Sequence, residues 1–378
     1  MPLPLMRSGA TLLVKERPLA FSFYPMGRTT RRYGLQSHVF SRNPWAIMRA
    51  SIEKRCSPTS RPAALAFLEQ AEDFHKSTAD SGVVAAKPLL LYYCFLNLAK
   101  AYITTVGRRS VVGEAMHGLS EGYRAGGTSL GHAFLKAFRT DANNINVFDD
   151  FLDAIGGVGL PRATIELDLK YLLPQILPGH RLWSSASNIT ERFIAIERIE
   201  FVEDATHRLL WLRLFIFSDD LRRLNLAHRR LLSESRLAND WQEVRCNLRV
   251  DDRRLLCFEE RNPSHYNHRP SDEIPGVVER LRKLLWTTVL IVPPYRRYYL
   301  YLAPPIEHAM VLPQILSLYA VVYYLGSVTR YRPHEFSGIV KGAFGAQVQE
   351  IITTQANQFF YLLASDFAQQ QVKLPAIV

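Results

Sequence analysis

The segment Lys87–Ile103 reads KPLLLYYCFLNLAKAYI, and apolar residues fill nearly all of its positions. Pro88 stands near its start, where a helix tolerates proline because the first backbone N–H groups have no partner inside the helix. A helix that is apolar all round is buried among other elements. Asn97 and Lys100 are then polar groups on a buried helix, and each needs a partner. The segment therefore predicts a central core helix on which the rest of the fold is assembled.

A second apolar stretch, near the other end of the sequence, has the length of a membrane span. Ala309–Thr329 contains no charged residue and is bounded by His308 and Arg330. Roughly 20 apolar residues suffice to cross a bilayer, but Pro313 and several polar side chains lower the hydropathy of this stretch. We therefore predict a second buried core helix and no membrane partner. A peripheral membrane protein anchored through this stretch stays open as an alternative.

Hydrophobic periodicity and charge divide the sequence into four predicted regions. They are a basic N-terminal arm (1–42), a helical region (43–176), a mixed β/α region (177–303) and a C-terminal helical region that packs on the first (304–378). In the third region, Phe193–Val202 and Leu209–Phe217 alternate apolar and charged residues, as half-buried strands do. The predicted fold class is α+β, predominantly α-helical: a helical core from the N- and C-terminal regions, with a small antiparallel β-region in the middle.

The sequence is basic. Its formal net charge is +11, with 46 lysines and arginines against 35 acidic residues, and the excess is concentrated near the N-terminus. Such a charge favours a polyanion, so we predict nucleic acid as a partner of the basic arm and the arginine clusters. A protein partner or a second copy of the chain is the alternative. The four cysteines form no CxxC pair, which is typical of a reducing compartment and predicts a cytoplasmic protein.

No cofactor and no metal are predicted. Gly126–His132 lacks the Gly-Lys-Ser/Thr of a P-loop, and Gly156–Gly159 does not match a dinucleotide fingerprint. His265 and His268 have the spacing of two metal ligands, but Cys257 is too distant in the sequence to complete a site.

Four short segments carry a resemblance to a known family. They are Lys87–Tyr93, Asn97–Ile103, His117–Ser120 (HGLS) and Ser327–Pro333 (SVTRYRP). The sequence resembles the YaaC-like proteins, which implies a helical fold but no established activity. The buried Tyr-Tyr helix is also similar, more weakly, to one found in HEPN four-helix modules. HEPN modules occur in toxins, RNA cleavage and phage defence, and their nucleolytic members carry an Arg-polar-x-x-x-His motif; for this sequence the likeness implies a helical scaffold rather than cleavage.

Two segments approach the motif of the nucleolytic HEPN modules. Arg223 and His228 have the Arg-x4-His spacing, within a predicted helix Asp220–Ser233. Arg261 and Asn262, followed by His268, form a looser version in a polar turn. In such a motif the histidine is the general acid or base and the arginine steadies the phosphate. The alternatives are a solvated basic helix face for the first pair and an exposed Asn/Pro/Ser turn for the second.

Two basic clusters are candidate anion sites. Arg330, Arg332 and His334 end the second core helix, where positive charge also interacts favourably with the helix C-terminus and Pro333 stops the helix. The other cluster consists of Arg222, Arg229 and Arg230. A cationic face of this kind suits phosphate contacts.

The sequence therefore predicts an intracellular YaaC-like protein that acts by interaction or nucleic-acid binding rather than by catalysis. A role in bacterial antiphage defence rests on the HEPN likeness alone. The alternative from another class is a metal-independent ribonuclease of the HEPN type, with His268 or His228 as its acid or base.

Overall fold

The computed structural model describes residues 2–14, 16–25, 38–80, 84–107, 113–289, 297–304 and 310–375, without the side chains of residues 79, 80 and 355. The chain divides into two compact units. Unit 1 comprises Met1–Arg42, Thr190–Ile306 and Gln369–Val378; unit 2 comprises Asn43–Ile189 and Glu307–Ala368. The predicted fold class, α+β and predominantly helical, is confirmed.

Unit 2 holds most of the helices. These are α1 (Pro44–Arg55), α2 (Arg61–Asp80), α3 (Lys87–Val106), α4 (Val147–Gly156), α5 (Leu169–Leu172), α6 (His180–Ser187), α10 (Gln314–Tyr331), α11 (Pro333–Lys341), α12 (Gly345–Thr353) and α13 (Gln355–Ala368). Its strands are β5 (Leu119–Tyr123), β6 (Ala133–Phe138) and β7 (Thr164–Asp168), which form an antiparallel sheet in the order β5-β6-β7.

Within its described residues, unit 1 holds the other strands and three helices. The strands are β1 (Ala10–Thr11), β2 (Leu13–Val14), β3 (Arg17–Pro18), β4 (His38–Phe40), β8 (Phe193–Ile196), β9 (Arg198–Asp204), β10 (Leu209–Phe217), β11 (Trp241–Val244), β12 (Arg249–Val250), β13 (Arg253–Glu260), β14 (Ser264–His265), β15 (Leu285–Thr287), β16 (Tyr298–Tyr301) and β17 (Gln371–Lys373). The helices are α7 (Ser218–Arg223), α8 (His228–Glu234) and α9 (Ile274–Arg282).

The helix predicted from Lys87–Ile103 is the centre of unit 2. In α3, Pro88 occupies the first turn and Gly107 ends the helix with φ 69°, the left-handed conformation that a glycine adopts without steric cost. Residues on every side of α3 are buried, as the sequence predicts. Among the described residues α3 alone has the length and hydropathy of a membrane span. Because a buried core helix shares both properties, this is weak evidence for a membrane.

The second core helix, α10, packs closely on α3. It is buried from Ile315 to Val328, which agrees with the predicted core helix. Gly326 makes the close approach possible, because a Cβ built on it would lie 2.9 Å from Tyr92 Cβ and 3.2 Å from the Pro88 carbonyl oxygen. The predicted packing of the C-terminal helices on the first helical region is therefore present within unit 2.

The main sheet of unit 1 follows the order β1-β9-β10-β13-β11, and every pairing along it is antiparallel. Its central strand, β10, reads LLWLRLFIF, and all of its residues after Leu209 are buried. A half-buried strand was predicted here. The strand is covered on both faces instead, so Arg213 is buried too, with its Nε 3.4 Å from Glu259 Oε2.

The structure divides the chain differently from the four predicted regions. Residues of the predicted N-terminal arm belong to unit 1, where Ala10 and Thr11 pair with Glu203 and Val202 of β9. The predicted helix Asp220–Ser233 is two helices, because the chain turns at Asn225, whose φ is 48°. The sheet β5-β6-β7 lies in a region predicted to be helical, and this prediction was wrong for residues 119–168 where the three strands form.

We expect Gly326→Ala to destabilise the protein by about 1–3 kcal/mol, the range for overpacking a core contact. The added methyl group has to displace Tyr92 and the Pro88 carbonyl of α3. Urea unfolding followed by circular dichroism measures the effect. Gly338→Ala in α11 is the matched control, because nothing lies within 4 Å of the added Cβ. Equal unfolding midpoints for the two variants would contradict the close packing of α10 on α3.

Candidate polyanion-binding site

A groove of about 520 Å³ lies in unit 1 between α7, α8 and the β12–β13 hairpin. Its lining contains four arginines and a histidine against two aspartates, so its charge is positive. Among its described lining residues, His228 is the one with an aromatic ring. The lining residues are Ser218, Asp219, Leu221, Arg222, Leu226, His228, Arg249, Asp252, Arg253, Arg254 and Leu256.

Two of the groove's arginines are held by α7. Arg253 Nε lies 3.3 Å from Asp219 Oδ2 and its Nη2 lies 3.6 Å from Asp220 Oδ1. Its guanidinium also lies 3.7 Å from the centre of the Phe217 ring. Arg222 forms an ion pair with Asp219 one turn away on the same helix. These contacts fix the two side chains and neutralise part of their charge.

The other two arginines of the groove have no such partner. Arg249 and Arg254 stand directly opposite each other across the β12–β13 hairpin, and both are exposed. The turn between them is Asp251-Asp252, with φ angles of 49° and 59°, which a tight hairpin requires. Neither arginine forms an ion pair within the part of the chain that the structure describes. Like charges in directly opposite positions destabilise a hairpin, so an anion between them would be stabilising.

His228 lines the same groove at the start of α8. Its Nδ1 lies 2.9 Å from both carboxylate oxygens of Glu243, a buried residue of β11. The carboxylate accepts the Nδ1–H and so selects, among the two uncharged tautomers of the ring, the one whose Nε2 carries a lone pair. The arrangement is a histidine oriented by a carboxylate, next to groove arginines that suit a phosphate.

The other predicted members of this region lie outside the groove lining. Arg223 is the last residue of α7, whereas His228 begins α8, so the two stand on different helices. Arg223 Nη1 lies 2.9 Å from Glu191 Oε2. The Nη2 of Arg230 lies 2.7 Å from Glu234 Oε1, in an ion pair along α8. Arg229 is exposed. Of the three arginines in the predicted cluster, Arg222 lines the groove, whereas Arg229 and Arg230 do not.

The second predicted motif is a polar turn after β13. Arg261 Nε donates to the Trp241 carbonyl oxygen at 3.0 Å, and the Arg261 carbonyl oxygen accepts from Arg7 Nη2 at 2.9 Å. Asn262 and His268 are exposed, and no hydrogen bond joins either of them to Arg261 within the described residues. No group of three potential metal ligands occurs among the residues that were described.

The predicted anion corner at the end of α10 is built differently from the expectation. Arg332 Nε lies 3.0 Å from Glu335 Oε2 and its Nη2 lies 3.8 Å from Glu121 Oε1. His334 is exposed and lies 4.0 Å from the same Glu335. Two carboxylates therefore offset the charge of Arg332, whereas Arg330 donates from Nη1 to the Tyr93 hydroxyl at 3.0 Å.

Sequence reasoning identified His228 and Arg222 as site residues. It missed Arg249 and Arg254, which line the groove, and Glu243, which orients His228. Arg249 and Arg254 are adjacent only because of the hairpin register. The segment RVDDRR, read as a predicted hairpin with basic ends, is the signal that could have found them. Glu243 is fifteen positions away from His228, and no local spacing connects the two.

Together the fold and the groove define a mostly helical α+β protein with a basic, solvent-open cleft. The family model described as YaaC-like Protein matches residues 28–367, and the chain belongs to this family. No curated protein and no solved structure matches the chain. The likeness to HEPN modules receives no support from these comparisons.

We expect Arg332→Gln to lower the free energy of unfolding by about 1–2 kcal/mol, because it leaves Glu121 and Glu335 half-buried without their cation. Thermal and urea unfolding measure the loss. Arg139→Gln, an exposed arginine of the same unit without an ion pair, is the control and should change stability by less than about 0.5 kcal/mol. An unchanged Arg332 variant would show that this corner is not a structural ion pair.

Proposed function

We propose that this protein binds nucleic acid in the cytoplasm through the groove of unit 1. The single observation that carries the proposal is the pair Arg249 and Arg254, two exposed arginines placed opposite each other that form no ion pair with any described residue. Guanidinium groups bind phosphate oxygens through two parallel hydrogen bonds, so this pair suits successive or shared phosphates. The net charge of +11 adds a long-range attraction for any polyanion.

The lining of the groove indicates contact with the backbone rather than with bases. The single aromatic ring among its described lining residues, that of His228, offers no row of platforms on which successive bases could stack. Phosphate contacts position a nucleic acid but do not read its sequence. We therefore expect binding that is independent of sequence and strongly dependent on salt. The polar lining favours a polyanion over an apolar protein surface or a membrane as the partner, and a role in phage defence lies outside the proposal.

The double variant Arg249→Gln/Arg254→Gln tests the proposal. For the unchanged protein and a single-stranded RNA, we expect log Kd to rise linearly with log salt, and the slope should fall by about 1–2 in the variant, since each phosphate contact contributes roughly 0.7 on a single strand. Fluorescence anisotropy at several salt concentrations gives the slopes.

The matched control is Arg229→Gln/Arg236→Gln, which removes the same charge from exposed positions outside the groove lining. It should keep the slope of the unchanged protein. The proposal fails if both double variants lose the same slope, or if the unchanged protein does not bind RNA at about 50 mM salt, where phosphate contacts are strong.

A second function is favoured by one observation, the contact between His228 and Glu243. A metal-independent ribonuclease needs a base that takes the proton from a ribose 2′-hydroxyl, which then attacks the adjacent phosphorus and releases the 5′-oxygen. His228 Nε2 would be that base, oriented by Glu243, while groove arginines would hold the charged phosphorus centre.

Incubation of the purified protein with RNA in the presence of a chelator tests this second function. The ribonuclease reading predicts cleavage that is lost in His228→Ala, strongly reduced in Glu243→Gln and retained in His268→Ala, because His268 lies outside the groove lining. RNA that stays intact in every sample, or cleavage that survives in His228→Ala, removes the ribonuclease and leaves RNA binding as the proposed function.

A further inference from the structure

Unit 2 contains a cluster of basic groups that the groove of unit 1 does not involve. It consists of Lys100 on α3, His117 before β5 and Arg330 near the end of α10, together with the hydroxyl groups of Tyr92 and Tyr93. We call these five residues the cation cluster. They come from three separate parts of the sequence. The ring of Tyr92 lies 5.4 Å from that of Tyr93 and 5.6 Å from that of His117, so the contacts of Arg330 and His117 are neighbours, and Lys100 follows Tyr93 about two turns along α3.

His117 contacts the hydroxyl group of Tyr92. Tyr92 is buried, and burial raises its pKa far above the ordinary value, so the phenol keeps its proton. Its oxygen lies 2.5 Å from His117 Nδ1. Burial, and then the charges of Lys100 and Arg330, lower the pKa of His117, so the ring is neutral near pH 7. In the neutral tautomer whose Nδ1 accepts the Tyr92 O–H, Nε2 carries the hydrogen and is a donor.

The position of His117 is fixed by its backbone. Gly118 has φ 80°, and a Cβ built on it would lie 3.0 Å from Asn146 Cβ, so a larger residue would be strained there. The N–H of Phe148 donates to the His117 carbonyl oxygen at 3.2 Å. The ring is thus held between this backbone contact and the Tyr92 hydroxyl. Its Nε2 makes no hydrogen bond with any described residue.

Arg330 and Lys100 complete the set of donors. Arg330 Nη1 donates to the Tyr93 hydroxyl at 3.0 Å, so this oxygen acts as an acceptor and its own hydrogen stays available. Tyr93 is held by stacking on Phe74 of α2, with ring centres 5.4 Å apart. Lys100 is half-buried, burial lowers its pKa, and its Nζ lies 5.5 Å from the centre of the Phe67 ring.

The cation cluster has donors but no carboxylate partner. Neither Lys100 nor Arg330 forms an ion pair within the part of the chain that the structure describes. This contrasts with Arg332, which two glutamates neutralise. Like charges gathered without a counter-charge are costly unless an anion joins them.

From this juxtaposition of Lys100, His117 and Arg330 with the Tyr93 hydroxyl we infer a binding site for the phosphate group of a small molecule. Two cations match the charge of a phosphate dianion. The neutral histidine and the tyrosine add directed hydrogen bonds to the remaining oxygens, and charge-assisted bonds of this kind are the strong ones. Either inorganic phosphate or a phosphate monoester offers this chemistry.

Isothermal titration calorimetry of the full chain, in a low-salt buffer at pH 7.5, tests the inference. The probes are inorganic phosphate, glycerol phosphate and sodium chloride at equal ionic strength. We expect one phosphate probe to bind with a 1:1 ratio and chloride not to bind. Tighter binding of glycerol phosphate assigns the site to monoesters; tighter binding of inorganic phosphate assigns it to the free ion.

Variants of the two cations locate the binding. Arg330→Gln removes an exposed side chain, and Lys100→Gln removes a half-buried one; each should weaken phosphate binding at least about tenfold, the effect of losing one charge-assisted hydrogen bond. Lys136→Gln, an exposed lysine of β6 in the same unit, should stay within about twofold of the unchanged protein. Arg330→Gln keeps the test decisive if Lys100→Gln does not fold.

The inference is wrong if no phosphate probe binds at about 10 mM, a concentration that detects even Kd values in the millimolar range. It is also wrong if Lys136→Gln loses as much affinity as Arg330→Gln. The groove variant Arg249→Gln/Arg254→Gln should bind phosphate like the unchanged protein, so failure of this site and failure of the proposed RNA groove are distinguishable. Displacement of phosphate by single-stranded RNA would overturn the small-molecule assignment.

Discussion

The backbone of α10 approaches α3 most closely at Gly326, where only the absence of a side chain leaves room for Tyr92 and the Pro88 carbonyl. This contact joins segments that lie more than 200 residues apart in the sequence. The aromatic side chains around it depend on the same approach: the rings of Tyr92 and Tyr323 lie edge to face, 5.1 Å apart, and Tyr323 donates from its hydroxyl to the Leu119 carbonyl oxygen at 2.6 Å. Through these contacts the packing of two helices positions β5, the His117 loop and the end of α10.

The helical part of this fold could be predicted because its information is local. An apolar run such as Pro88–Ile103 is long enough to specify a buried helix without knowledge of its neighbours. The sheet β5-β6-β7 could not, because β5 reads LSEGY and contains few residues that favour strands. Gly122 in this strand lies against the Phe134 ring of β6, so tertiary packing decides its conformation. The two-residue strand β1 is likewise defined only by its partner β9.

The candidate groove was only partly predictable, because only part of the information that defines it is local in the sequence. Basic residues are visible in the sequence, but whether each is free or neutralised depends on acids that are distant along the chain. Arg223 forms an ion pair with Glu191, and Arg332 forms one with Glu121, so the charges of these two predicted site residues are offset. Arg249 and Arg254 are left without such partners by the hairpin register. A prediction of function from charge therefore needs the positions of the carboxylates as much as those of the arginines.

The parallel pairing of β4 with β17 has a consequence for how the chain is made. Val39 and Val372 are partners in this pair, so β4 stays unpaired until more than 300 further residues have been synthesised. The entropic cost of closing so long a loop is offset only after the intervening residues of both units have compacted. During that interval the edge of β4 is open to other strands, a situation that invites aggregation. Nascent chains of this protein are therefore expected to require protection by chaperones until β17 emerges.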